Sequence, residues 1–230
     1  MHEVFEDEFV SWRHNTPVGV KVDEVFGMDS KSGKVWLEMA RQIFCELGEP
    51  NYREIGHYES GAPFIYSLNA RLSITHTSNL FIGAFLPKTP DQNLEIFNPR
   101  TAMGIDAEKI DRSQVLKIRS KFLSEKEMDL VPEDNLEANI LAWTSKEALY
   151  KAALTPGLDF KENIIITKLP EIDRNINSES GYSLGSAILY FPDNTIIQGQ
   201  QNMELYSYET YGCCVTIAIS PKCAKFKTNR

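Results

Sequence analysis

The chain has 230 residues, 42% of them hydrophobic, which is too many for a disordered polymer and enough for one or two packed domains. Its net charge of −8 argues against nucleic acid as the main partner, so a phosphate-bearing ligand must be met by a local basic patch or a metal. No run approaches the ~18 apolar residues of a membrane span. The opening "MHEVFEDEFVSWRHN" is acidic where a signal peptide is basic and then apolar, so a cytoplasmic protein without membrane contact is expected.

Residues 31–48, "KSGKVWLEMARQIFCELG", carry apolar side chains at helical spacing and end at Gly48 and Pro50. In "ARLSITHTSNLFIGAFLP" the alternation of Leu72, Ile74 and His76, then the apolar run from Leu80, predicts two strands turning at "HTSN". Residues 88–101 are polar and proline-punctuated, a connector. "TAMGIDAE" reads as a strand with Met103, Ile105 and Ala107 on one face and Gly104, Asp106 and Glu108 on the other. "SQVLKIRSKF" is helical, and "SEKE" at 124–127 is a capping box that assigns Glu127 to helix initiation. A longer helix is predicted from about Glu137 to Leu154, stopped by Pro156-Gly157. "NIIITKL", "SLGSAILYF", "TIIQGQ", "MELYSYE" and "CCVTIAIS" read as strands, with "PDNT" as a hairpin loop. None of Cys45, Cys213, Cys214 and Cys223 has zinc-type spacing, so all four read as reduced and structural. Helix-plus-strands recurs on a similar scale in each half, an α+β fold of two similar halves, 1–101 and 102–230.

Asp106 and Glu108 lie two residues apart on one strand face, where an isolated pair is most often a solvated edge. A third carboxylate changes the weight. In "WTSKEALYK", Ile140, Trp143, Glu147, Lys151 and Leu154 fall on one helical stripe, so Glu147 shares a face with large apolar residues and needs a partner. Lys151, four residues on, is one candidate. Three carboxylates with waters and phosphate oxygens complete an octahedral shell suited to Mg2+.

"GIDAE", "FLSEKE" and "WTSKEALYK" resemble the motifs of the 4'-phosphopantetheinyl transferase superfamily. The two-half length and "ITHTSNLFIGAF" resemble its surfactin-synthetase-activating type, over roughly Lys31 to Pro221. The resemblance implies a pseudo-dimer of α+β halves with coenzyme A in the cleft between them. It implies Mg-dependent transfer of phosphopantetheine from coenzyme A to a serine of an acyl or peptidyl carrier protein, releasing adenosine 3',5'-bisphosphate. Both halves in one chain favour a monomer. Asp106, Glu108 and Glu147 would be the metal ligands, with Glu147 the preferred base for the serine proton and the surroundings of Asp106 its rival. Lys151 would meet the α-phosphate; Lys146 is either a second phosphate contact or a solvated helix lysine. His76 would reach the 3'-phosphate, with Thr75 holding the same ligand and Thr77 keeping a hydroxyl beyond it. Lys31 and Lys34 are placed like residues that clamp the adenosine end. Ala62, in "ESGAPFI", stands where the family carries a basic residue against coenzyme A. Arg112, Lys117, Arg119, Lys121 and Lys126 offer a docking surface for an acidic carrier. The competing readings are a non-catalytic carrier-binding homologue and a metal-dependent phosphohydrolase; the histidines, scattered at 2, 14, 57 and 76, weigh against the latter.

Overall fold

The computed structural model describes residues 10–29, 31, 35, 38, 55–57, 61–65, 71–86, 102–174, 182–193 and 199–221. It is a mixed α+β structure. Most of the helix expected at 31–48, the connector at 88–101, Lys34, Cys45 and Cys223 lie outside these residues, as does most of the "TIIQGQ" stretch.

The first part contributes β1 (Val10–Asn15), β2 (Lys21–Phe26), β3 (Ile55–His57), β4 (Pro63–Ile65), β5 (Arg71–His76) and β6 (Leu80–Leu86). β1, β2, β6 and β5 form a four-stranded sheet in that order, and β3 pairs with β4. β5 and β6 are the two strands expected on either side of "HTSN", paired antiparallel with His76 opposite Phe81.

The second part runs β7 (Met103–Lys109), α1 (Gln114–Phe122), α2 (Glu125–Leu130), α3 (Leu136–Ala153), β8 (Ile164–Lys168), β9 (Ile172–Asp173), β10 (Gly185–Phe191), β11 (Gly199–Thr210) and β12 (Cys213–Ile219). Its sheet has the order β7-β12-β11-β10-β8, with β9 beside β11. β12 is buried along its whole length, which is why "CCVTIAI" is apolar almost throughout rather than alternating. On one face Met103, Ile105, Ala107, Val215 and Ile217 pack against Val22, Leu80 and Ile82 of the first sheet. On the other, Cys214 and Ala218 join the core beneath α3 with Ile140, Leu141, Ala148 and Leu149. Cys213 and Cys214 are free and buried, one on each face. Burial pushes the Cys214 thiol up to about 12, so it stays protonated.

α3 begins where the Asn135 side chain accepts from Ala138 N–H at 3.0 Å, and ends at Leu154 in the left-handed region, φ 50°. A row of buried hydroxyls crosses beneath it: Thr144 to Thr216 at 2.8 Å and Thr216 to Ser207 at 2.8 Å.

Two features depart from the sequence expectation. β11 is one strand of 12 residues, running unbroken from the Gly199-Gln200 end of "TIIQGQ" through "MELYSYE", which the sequence reads as two strands. β1 and β2 precede the first element predicted from the sequence; in β2, "KVDEVF" sets two acids side by side, yet Asp23 and Glu24 are both buried. Glu24 accepts from Tyr208 Oη at 2.8 Å and Thr210 Oγ1 at 2.9 Å, donors that reach it from the other sheet. Burial still raises its pKa despite those bonds.

Candidate active site

Gly104 sets the distance between β7 and α3. A Cβ there would stand 2.1 Å from Ala148 O and 2.6 Å from Ala152 N, so only glycine lets helix and strand touch. The close approach lays Lys151 across the strand. Its ammonium donates to Asp106 Oδ1 at 2.7 Å, to Ile105 O at 3.0 Å and to Ile74 O at 3.4 Å. One lysine on α3 thus ties together both sheets. Around it, Thr75 Oγ1 donates to Asp106 Oδ1 at 3.0 Å and Ile105 N–H donates to Ser73 Oγ at 3.1 Å.

The three carboxylates share one electrostatic environment. Burial raises Glu147, Asp106 and then Glu108 add to the rise, Lys151 and Arg112 oppose it, and the outcome is about 7. Glu108 is also raised, first by burial, with Arg112 and the indole of Trp143 pulling the other way. Trp143 Nε1–H donates to Glu108 Oε1 at 3.1 Å, and Arg112 forms an ion pair with the same oxygen. As placed, Asp106 is taken up by Lys151 and Glu108 by Arg112. No group of three or more His, Cys, Asp or Glu side chains among the described residues is gathered closely enough to hold a metal ion. In kind, however, the donors fit a hard divalent cation: three carboxylates, one of which, Glu147, is raised to about 7 first by burial and then by its neighbours Asp106 and Glu108.

The other expected site residues separate. Lys146 is neither a phosphate contact nor a solvated lysine. It is 0% exposed, and its ammonium donates to Glu127 Oε2 at 2.8 Å, to Phe160 O at 2.7 Å and to Ile164 O. Its position on α3 turns it inward, and burial lowers its pKa against the pull of Glu127. Glu127 does cap α2, accepting from Ser124 N–H at 2.9 Å, and it also accepts from Ile166 N–H at 2.7 Å. It is therefore the anion of a buried ion pair as well as a cap. Thr75 sits at the carboxylate site, its proton directed to Asp106. His76, next along β5, is exposed with its ring parallel to Phe81. Lys31 is exposed, its backbone N–H donating to Asp29 Oδ1 at 3.1 Å, and Lys34 lies outside the described residues. Of the basic series, Arg119 is structural, donating to Val131 O at 2.6 Å and Asn139 Oδ1 at 3.2 Å, while Lys117, Lys121 and Lys126 are exposed.

Sequence reading missed Arg112 and Trp143 as partners of Glu108. In the sequence Trp143 reads only as an apolar member of the stripe, although its indole N–H is a donor that seeks a partner when buried. Arg112 stands four residues after Glu108, a spacing that carries signal only if the turn between them is known.

Beside Lys151 lies a cavity of about 190 Å3, lined by Ala62 and Pro63, by Ser73 and Ile74 of β5, and by Tyr150 and Lys151 of α3. It opens between elements of the first and second parts of the chain. Residues 102–190 match the family model of the 4'-phosphopantetheinyl transferase superfamily. The matched segment runs from β7 through α3 to β10 and contains Asp106, Glu108, Glu147 and Lys151. No curated protein matches the chain in direct comparison. No helix among the described residues is long and apolar enough to cross a membrane.

Proposed function

We propose that the chain transfers the 4'-phosphopantetheine group of coenzyme A to a serine hydroxyl of an acyl or peptidyl carrier protein, with Mg2+ as its metal. The observation that carries the reading is the meeting of Asp106, Glu147 and Lys151 where α3 touches β7, inside the segment that matches the transferase family. In this reading residues 1–101 and 102–230 act as two halves, and coenzyme A lies between them, with the cavity beside Lys151 as part of its site.

Attack by the serine oxygen on the β-phosphorus builds negative charge on the phosphoryl oxygens and on the departing α-phosphate. Mg2+, held by Asp106, Glu108 and Glu147, would supply neutralisation of that charge. Lys151 reaches the same place from α3 and, released from Asp106, offers its ammonium to the α-phosphate as charge grows there. Glu147 takes the serine proton, directly or through a water. Thr75 keeps Asp106 oriented, and Trp143 does the same for Glu108. Ser73, holding the β7 backbone at Ile105, fixes the distance between the two parts of the chain.

The test is product release. The chain, coenzyme A, Mg2+ and an apo carrier protein should liberate adenosine 3',5'-bisphosphate, resolved by chromatography, only when the carrier is present. Equal release without the carrier would make the protein a phosphohydrolase. No release under any condition, with coenzyme A still bound, would make it a binding homologue.

A further inference from the structure

The β11–β12 hairpin closes in two residues, because Thr210 pairs with Cys213. The two loop residues, Tyr211 and Gly212, both take positive φ, 44° and 68°. That is the turn which suits a two-residue hairpin, and it favours Asn, Asp or Gly at its first position. A tyrosine there carries backbone strain that asparagine would not. Its ring has a use beyond the turn. It lies flat on Phe26 at the end of β2, centroids 4.2 Å apart and planes 5° apart, and the residue is still 39% exposed. Ile110, whose N–H donates to Gly212 O at 3.1 Å, is 40% exposed beside it.

This apolar pair stands next to the carboxylate site. Ile110 follows Glu108 by two residues, and Arg112, two further on, is the ion-pair partner of Glu108. Lys109 is exposed, lies opposite Cys213 across the strand pair and precedes Ile110 directly, while an exposed Asp111 stands between Ile110 and Arg112. α1 then presents Lys117 and Lys121, exposed and four residues apart on one face. In a chain of net charge −8, the segment that leads away from this platform thus carries three exposed lysines, Lys109, Lys117 and Lys121.

We propose that Phe26, Ile110 and Tyr211 form the apolar seat for the protein that carries the acceptor serine. The face of that partner is acidic and presents at least one exposed apolar side chain. The inference rests on the transfer reading of the carboxylate site and names its second substrate's landing surface. The cations orient the encounter, and burial of the apolar side chains slows departure.

Tyr211→Asn deletes the ring and keeps the left-handed turn, so relief of strain offsets the lost stacking and the chain stays folded. Ile110→Ser trims the second member without adding charge. With the full chain, Mg2+, coenzyme A and an acidic apo carrier, each should raise KM for the carrier, by about tenfold for the tyrosine. KM for coenzyme A should hold, and turnover at saturating carrier should be kept. An unchanged KM for the carrier in both variants overturns the proposal and leaves the transfer reading standing. So does an equal rise in KM for coenzyme A, since the ring would then serve the donor. A dimer in sedimentation that Tyr211→Asn dissociates places a second copy on the platform and overturns it too. If the unaltered chain transfers nothing to any carrier, the transfer reading fails and this inference falls with it.

Discussion

Replacing Lys146 by methionine separates a structural lysine from a phosphate-binding one. The ammonium is fully buried, paired with Glu127 at 2.6 Å, and spends its remaining protons on Phe160 O and Ile164 O. Methionine fills a similar volume but leaves the Glu127 carboxylate, 1% exposed, without its cation. Removing one partner of a buried pair costs about 3–5 kcal/mol, because the other charge stays desolvated. The Ser124 and Ile166 N–H groups still donate to Glu127, so the lower end of that range is expected here. At ~2–4 °C per kcal/mol for a chain of this size, the thermal midpoint should fall by about 6–12 °C. Circular dichroism melts and urea titrations read this directly, and the double variant Lys146→Met/Glu127→Gln should recover part of the loss. At a temperature where the single variant is folded, KM for coenzyme A should equal that of the unaltered chain. An unchanged midpoint with a raised KM would refute the reasoning and return Lys146 to the phosphate.

Asp106→Ala and Glu147→Ala should each abolish nearly all transfer while leaving a folded chain, and Glu108→Ala should lose less because water can replace one Mg2+ ligand; full activity of Glu147→Ala at saturating Mg2+ would sink that assignment. Ala62→Lys adds a cation to the cavity that Lys151 lines. A contact of about 1–2 kcal/mol with a coenzyme A phosphate should lower KM for coenzyme A roughly fivefold to thirtyfold with turnover unchanged. Coenzyme A lacking its 3'-phosphate gaining as much would show that position 62 meets another group. Without metal, Glu147 titrates at about 7 against an ordinary 4.5, so the folded state holds a proton the unfolded state releases. Its contribution to stability is complete below about 4.5 and is lost as pH rises through about 7. In EDTA, Glu147→Gln should flatten that part of the profile of denaturant midpoint against pH, and superimposable profiles would contradict the shift.

Much of the second part was legible because its signals are local. The alternation in "MGIDAE" sets Asp106 and Glu108 on the helix-facing side of β7, and the period of α3 brings Lys151 to the same contact. Gly104 could be read as a glycine but not as the close approach of helix to strand, which exists only in three dimensions. Lys146 misled because neighbouring positions on a helix point some 100° apart, and sequence alone did not say which side faced the core. β1 and β2 were hidden for a related reason. Glu24 looks exposed until Tyr208 and Thr210, nearly two hundred residues away, are known to donate to it. Long-range compensation of a buried charge leaves no periodic trace in the chain.

Intact-mass spectrometry of the acceptor tests the central claim most directly. An acidic apo carrier protein incubated with the chain, coenzyme A and Mg2+ should gain the mass of one phosphopantetheine group, on a single serine located by fragmentation. The gain should vanish with Glu147→Gln and with a carrier whose serine is replaced by alanine. A carrier of unchanged mass, while the chain binds coenzyme A and stays folded, would contradict the account.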